Sequence, residues 1–194
     1  MLIDEYLPKY DVSNKYAVTV DAPPERVFEV VHRLDISSAE ISMLLFRLRG
    51  LAGWESEEKY DIDRIQKAGF VILGEDPSQE FLLGLIGKPW SPTGELVDFT
   101  AEEFAEFDKP GLAKIVWNFT VKEVEDGKTL LETETRILNT DEDARWKFGI
   151  YWFFVSSFSG LTRHEILHVL KNQAERPLLP DEGEIDEEDN SEES

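Results

Sequence analysis

The sequence predicts an α+β domain in which a curved antiparallel sheet packs against a long C-terminal helix, with two short helices after the first strand. Three observations lead to this fold class. A β-like run over residues 14–21 ends at two prolines, which suit a first helical turn. A long hairpin occupies the second half of the chain, and a helical pattern follows it to about residue 174. Helices gathered against one face of an antiparallel sheet are typical of α+β proteins.

The first half of the chain consists of short elements separated by turn signals. Apolar residues at helical spacing over 27–34 predict the first helix, and those over 39–48 predict the second. Residues 54–66 fit either a loop or a short helix. Two strands then follow, over Phe70–Leu73 and Glu80–Ile86, and the residues between them form a turn rich in acidic residues and proline.

The clearest hairpin joins Leu112–Val124 to Thr129–Asn139 through an Asp-Gly pair, which suits a tight turn. In its first strand, alternate residues are apolar and their neighbours are mostly polar, which predicts a strand buried on one face. Residues 140–143 then cap a helix of about 34 residues, roughly 50 Å long at the usual rise per residue. Gly149 and the small residues of 156–160 are places where this helix can bend or break.

Composition and charge exclude several functions. The chain has a net charge of −21 at pH 7, and residues 181–194 carry nine acidic side chains and no basic one. That segment predicts a disordered tail over 178–194, which leaves the domain at residues 1–177. The negative charge disfavours nucleic acid and anionic lipid as partners. With no cysteine, disulfides and thiolate chemistry are excluded. No apolar run suits a secretory signal or a bilayer span, so we expect a cytoplasmic protein without membrane insertion.

One local pattern on the C-terminal helix matches a metal motif. His164, Glu165 and His168 read H-E-x-x-H, as in zinc hydrolases. However, a third ligand at a recognisable spacing is missing from the sequence, and Arg163 places a positive charge beside the cluster. Counting about 100° per residue puts both histidines away from the apolar stripe and Glu165 near its centre. We therefore predict no metal and keep the histidines as the weaker alternative. Glu165 is either an acid/base group or polar anchor in the interior, or a structural ion-pair partner.

Aromatic residues crowd the hairpin and the C-terminal helix. From Phe148 to Val155 the helix is apolar almost all round, more than one buried stripe requires, so the surplus faces a cavity, another element or a second subunit. Plain core packing accounts for many of the same residues. Two threonines on the inward side of the last strand are either polar points in an apolar pocket or ordinary strand residues. The predicted ligand-binding residues are Trp117, Phe119, Thr133, Thr135, Tyr151, Phe154, Phe158 and Glu165.

The chain resembles the START-like, or SRPBCC, superfamily over about residues 10–175. The resemblance lies in the opening segment Tyr16–Val31 with its strand and Ala-Pro-Pro sequence, in the hairpin strands from Ala113 and Thr129, and in the terminal helix. It implies the helix-grip fold that pollen allergens, lipid-transfer domains and aromatic polyketide cyclases share. It also implies that a small hydrophobic or aromatic ligand binds between sheet and helix, without a cofactor.

One fold hosts many functions, so the resemblance leaves the role open. A binding or carrier domain is the first reading. The alternative is a cyclase- or hydratase-type enzyme that uses Glu165 or a threonine in the same cavity. A zinc hydrolase through His164 and His168 is the third. A homodimer formed through the surplus apolar face of the helix is the fourth.

Overall fold

The computed structural model describes residues 1–39 and 61–177, and within them a single antiparallel sheet is packed against a long helix. Apart from Ala39, the second predicted helix lies outside the described residues, as does the acidic tail. In chain order the elements are α1 (Leu2–Tyr6), β1 (Val12–Val20), α2 (Pro24–Arg33), α3 (Ile62–Lys67), β2 (Val71–Asp76), β3 (Glu80–Gly87), α4 (Ala101–Glu106), β4 (Ala113–Glu123), β5 (Thr129–Asn139) and α5 (Glu142–Ala174).

The strand order across the sheet is β1-β5-β4-β3-β2, and each neighbouring pair is antiparallel. Helix α5 packs along β1 and β5, and α2 packs beside it. The predicted fold class, an α+β helix-grip arrangement of a curved antiparallel sheet and a long C-terminal helix, is confirmed. The ambiguous segment before β2 ends in the short helix α3, whose N-cap Asp61 accepts a hydrogen bond from the Arg64 amide.

The hairpin of β4 and β5 fixes which side chains meet. Its turn contains Asp126 and Gly127, with φ of 64° and 70°, which is why an Asp-Gly pair occupies it. The resulting register sets Trp117 opposite Thr135 and Phe119 opposite Thr133. Because side chains of a strand alternate between faces, all four point to the same side of the sheet, the side that α5 covers.

Helix α5 begins at a double cap. Oδ1 of Asp141 accepts a hydrogen bond from the Ala144 amide at 2.7 Å, and its Oδ2 accepts one from the Gly111 amide at 2.8 Å. The helix then runs unbroken for 33 residues. Gly160 does not interrupt it but lets β1 approach, because a Cβ there would lie only 2.8 Å from the Tyr16 hydroxyl. Gly149, by contrast, has nothing within 4 Å of that position.

The expectation of a sheet buried on one face only is wrong at its centre. Helices α1 and α4 cover the opposite face and build a second apolar cluster with β2, β3 and β4. Lys114 is buried there, with its Nζ donating to the Ala105 carbonyl at 3.0 Å, and this burial lowers the pKa of its ammonium. Glu80 is buried too and accepts hydrogen bonds from the Leu2 amide and the Asn118 side chain. Polar residues at the centre of this face are therefore covered rather than solvated. The helices over them are α1, which the sequence did not predict, and α4, whose start a capping box at Thr100 does predict.

Candidate functional site

A cavity of about 410 Å³ lies between the sheet and α5, on the side where the hairpin aromatics point. Strands β3, β4 and β5 form one wall, α5 forms another, and α3 and the loop over residues 88–96 complete the described lining. Its volume falls in the range of small-molecule sites. Most of the lining is apolar, with side chains that include Ile36, Ile65, Phe70, Leu85, Ile115, Trp117, Ile137, Phe148, Tyr151, Trp152, Val155 and Phe158.

Arg163 is the charged group that α5 presents to this lining. Its Nε donates a hydrogen bond to Thr135 Oγ1 at 3.1 Å, and its Cζ lies 4.3 Å from the centre of the Trp117 ring. Trp117 and Thr135 are opposite each other on β4 and β5, so a single guanidinium reaches both. We call these three residues, Arg163, Trp117 and Thr135, the arginine subsite.

Hydrogen bonds beneath the arginine subsite fix the indole. Trp117 Nε1 donates to Thr133 Oγ1 at 2.7 Å, and Thr133 Oγ1 in turn donates to the Asn118 carbonyl at 2.7 Å. Phe70 and Phe119 flank the indole, with ring centres 6.1 Å and 4.9 Å from it. The surface under the guanidinium is therefore held in place before anything binds, as a preorganised binding surface requires.

The electrostatics of Arg163 are unusual for an arginine. Burial lowers its pKa to about 10, and the neighbouring Tyr16 offsets a little of that shift. Part of its surface is accessible, and the side chain borders the open volume of the cavity. Among residues 1–39 and 61–177, no carboxylate oxygen lies within 4.0 Å of its nitrogens. At neutral pH the guanidinium is therefore a protonated cation without a described anionic partner.

Four of the predicted ligand-binding residues line the cavity: Trp117, Thr135, Tyr151 and Phe158. Tyr151 packs against Phe148, with ring centres 5.9 Å apart. Phe158 also keeps about half of its surface exposed, so it stands at the cavity margin. That these side chains contact a ligand stays a prediction.

Three other predicted residues lie elsewhere, which corrects the sequence analysis. Phe119 and Thr133 are buried in the core beneath the cavity, where Phe119 packs against Trp117 and Thr133 accepts its hydrogen bond. Phe154 is 68% exposed and lies on the outer side of α5. The helix is apolar almost all round in this stretch, so hydropathy alone did not identify its inner face. Packing identifies it, because Phe148, Thr162 and Ile166 are among the helix side chains that are buried.

The role predicted for Glu165 as a group inside the cavity stays a prediction. Glu165 is half-buried, makes an interaction with another part of the chain, and does not belong to the described cavity lining. His164 and His168 are exposed, and the His164 ring meets the Tyr16 ring edge-on at 4.9 Å. Within the two described ranges, no three histidine or acidic side chains are grouped so that they could hold a metal ion.

Arg163 is not among the residues predicted for the cavity, and its predicted role was only that of a charge beside the histidines. A signal for it existed. Phe148, Trp152, Val155, Ser159 and Thr162 follow one another at spacings of three and four, which marks one helix face, and Arg163 lies next to it. The loop over 88–96 was also missed, because its two prolines indicated only irregular structure.

Solved structures resemble this chain in fold at low sequence identity. A protein of Nitrosospira multiformis is 11% identical, with 84% of this chain and 95% of that chain covered and a TM-score of 0.42. A protein of Mesorhizobium loti is 13% identical over 84% and 98% of the chains, with a TM-score of 0.41. The Zhui aromatase/cyclase of a Streptomyces species is 13% identical over 85% and 94%, with a TM-score of 0.33. Neither a protein family nor a curated protein matches the chain in sequence.

The predicted resemblance to START-like, or SRPBCC, proteins is confirmed as a likeness of fold. The chain's own topology supports that statement, with an antiparallel sheet in the order β1-β5-β4-β3-β2 and a terminal helix along β1 and β5.

None of the helices in the described ranges is both long and apolar enough to span a membrane.

Proposed function

We propose that residues 1–177 form a binding domain for a small, mainly apolar ligand, which occupies the cavity between the sheet and α5. One observation carries the proposal: about 410 Å³ of open volume between the sheet and α5, lined mostly by aromatic and aliphatic side chains. Unfilled apolar volume costs the fold dispersion contacts, which a ligand of matching shape restores. The few polar groups in the lining would then fix the ligand's orientation.

The proposal is tested by filling the cavity from α5. Val155 lines it and is only half-buried, so Val155→Trp adds volume there without crowding the tightly packed core. We expect the affinity for the neutral dye N-phenyl-1-naphthylamine, followed by fluorescence, to fall about tenfold or more in this variant, since the dye must compete with the added ring.

The matched control is Asn172→Trp, on the same helix but exposed and outside both the described lining and the apolar stripe on the outer side of α5. It adds the same aromatic group and should leave dye binding unchanged. If native protein does not bind the dye, or if both variants lose binding equally, the cavity is not the binding site. Native mass spectrometry of protein purified without added ligand would show a co-purified small molecule directly.

The enzyme alternative loses its original acid/base group, because Glu165 does not belong to the described lining. A cyclase- or hydratase-type reaction would need a different group, so we favour binding without turnover. The third reading, a zinc hydrolase, would need a ligand beyond His164 and His168. The cytoplasmic location expected from the sequence stays a prediction.

We also propose that two copies of the chain associate through the outer face of α5. This face carries large apolar side chains at intervals of three and four, all of them well exposed: Trp146, Ile150, Phe153, Phe154, Phe158 and Leu161. A contiguous exposed apolar stripe indicates an interaction surface. A second copy carries the same stripe, so a two-fold symmetric pair would cover both stripes at once. Light scattering should therefore give a dimer for the native protein and a monomer for Phe153→Ser combined with Phe154→Ser. A monomeric native protein would contradict this.

A further inference from the structure

The chemistry of the cavity is not purely apolar, because its wall contains a half-buried cation. Arg163 presents its guanidinium to the lining between Trp117 and Thr135, and only its Nε is used in a hydrogen bond there. The terminal nitrogens of Arg163 donate no hydrogen bond to the described part of the chain. Among the described residues, Asn139 Oδ1 is the fully buried side-chain nitrogen or oxygen atom without a partner, so the Arg163 nitrogens are not fully buried. The Arg163 terminal nitrogens therefore have accessible surface, and the cavity is the open volume that the side chain lines.

We propose that the ligand of this cavity carries an anionic oxygen group, a carboxylate in the simplest case, which pairs with the terminal nitrogens of Arg163. This inference rests on the proposed function and adds the ligand's chemical class to it. The ligand would be amphiphilic, with an apolar body against the aromatic lining and one charged end at the arginine subsite.

The charge of Arg163 favours an anion over a neutral hydrogen-bond acceptor as its partner in the ligand. A cation removed from water is costly unless an opposite charge or several hydrogen bonds compensate it. The described residues supply one hydrogen bond to Thr135 and the face of Trp117, but no carboxylate within 4.0 Å. A guanidinium offers parallel N–H donors that match the two oxygens of a carboxylate, so the unused side of Arg163 suits this group best.

The geometry indicates a built subsite rather than a cation trapped by packing. The indole under Arg163 is fixed through Thr133 to the backbone of Asn118, and Thr135 holds the guanidinium by its Nε. With Nε and the ring face occupied, the guanidinium plane is oriented and its remaining N–H groups are left for an incoming partner. A side chain held in this way loses little additional entropy when it binds.

The test compares two probes of the same shape and different charge, 2-anthracenecarboxylate and 2-anthracenecarboxamide. Their affinities are measured by fluorescence titration at pH 7 on the full chain. We expect the native protein to bind the carboxylate about tenfold more tightly, or better, since a charge-assisted pair in an enclosed site supplies at least that much. In Arg163→Met the preference should vanish, because the affinity for the carboxylate falls to that for the carboxamide.

Two further variants separate charge from position. Arg163→Lys keeps the charge but loses the stacking and the paired donors, so we expect it to keep only part of the preference. Thr135→Val removes the acceptor that orients Nε and should also reduce the preference, without changing the charge.

Arg145→Met is the matched control, because it removes an exposed arginine from the same helix, one that pairs with Asp11 and Glu142. It should leave both affinities unchanged.

The outcomes distinguish this inference from the proposed function. If N-phenyl-1-naphthylamine binds the native protein but the carboxylate is not preferred over the carboxamide, the cavity binds ligands and the anionic group is wrong. A preference that survives Arg163→Met also overturns it, because the anion is then recognised elsewhere. If neither the neutral dye nor either anthracene binds, the proposed function fails, and this inference fails with it.

Discussion

At the scale of single residues, Arg163 combines a cost to folding with a use in binding. Its folded-state pKa, about 10, is lowered because burial disfavours the protonated form. A base with a lowered pKa destabilises the fold wherever it is protonated, so the cost is complete at neutral pH. The cost fades only as the pH rises through 10 toward the ordinary pKa of arginine.

Replacing this cation by an apolar side chain of similar length should therefore stabilise the ligand-free protein. We expect Arg163→Met to raise the free energy of unfolding by about 1–3 kcal/mol at pH 7, measured by urea denaturation without ligand. The control Arg145→Met removes two ion pairs of an exposed arginine, with Asp11 and Glu142, and should lower the free energy of unfolding by about 1 kcal/mol or less. A clear loss of stability in Arg163→Met would mean that the stacking on Trp117 and the bond to Thr135 outweigh the burial of the charge.

At the scale of elements, two glycines inside α5 have different physical roles. Gly149 is exposed with open space where a Cβ would stand, whereas a Cβ on Gly160 would lie 2.8 Å from the Tyr16 hydroxyl on β1. Glycine in a helix interior costs roughly 1 kcal/mol relative to alanine. That cost is avoidable at Gly149. At Gly160 the absence of a side chain lets β1 pack closely against the helix.

Alanine substitutions test this difference on one helix. Gly149→Ala should raise the free energy of unfolding by about 0.5–1 kcal/mol through helix propensity alone. Gly160→Ala should give no gain or a loss, because the Tyr16 ring must move. Removing that hydroxyl, in Tyr16→Phe combined with Gly160→Ala, should recover most of the gain. Equal stabilisation by both single changes, in thermal or urea unfolding, would show that β1 does not constrain the helix at Gly160.

At the scale of the whole molecule, the charge of the proposed site is positive, whereas the net charge of the chain is negative. The chain carries −21 net charge, so an anionic ligand is repelled at long range even though Arg163 attracts it at contact. Salt screens the long-range field within a Debye length of about 10 Å at 0.1 M but acts weakly on an enclosed pair. The two contributions are therefore separable in kinetics.

We expect the association rate of 2-anthracenecarboxylate to rise as salt increases from about 0.02 M to 0.5 M, as screening removes the repulsion. Its dissociation rate should change little, since the pair with Arg163 is enclosed. Stopped-flow fluorescence measures both, and the carboxamide serves as a control whose association rate should stay flat. An association rate that falls with salt for the carboxylate would indicate attraction by an exposed basic surface instead.

The sequence by itself determined the strands of the hairpin, the long C-terminal helix and their order, but not the short helix α1. Period-two alternation in the hairpin, the Asp-Gly turn at 126–127 and the caps around Asp141 are local signals, and each depends on neighbours within a few residues. They were sufficient for the fold class and for placing Trp117, Thr135 and Tyr151 near a common cavity. Long-range packing was not needed to identify them.

Only the tertiary structure decided which side of α5 faces inward. Where a helix is apolar all round, its own sequence leaves its rotation open, and contacts with the sheet choose it. That choice placed Phe154 outside, moved Glu165 out of the lining and brought Arg163 onto Trp117 and Thr135. The pairing of Trp117 with Thr135 likewise depends on strand register, which sets side chains from distant parts of the chain opposite each other.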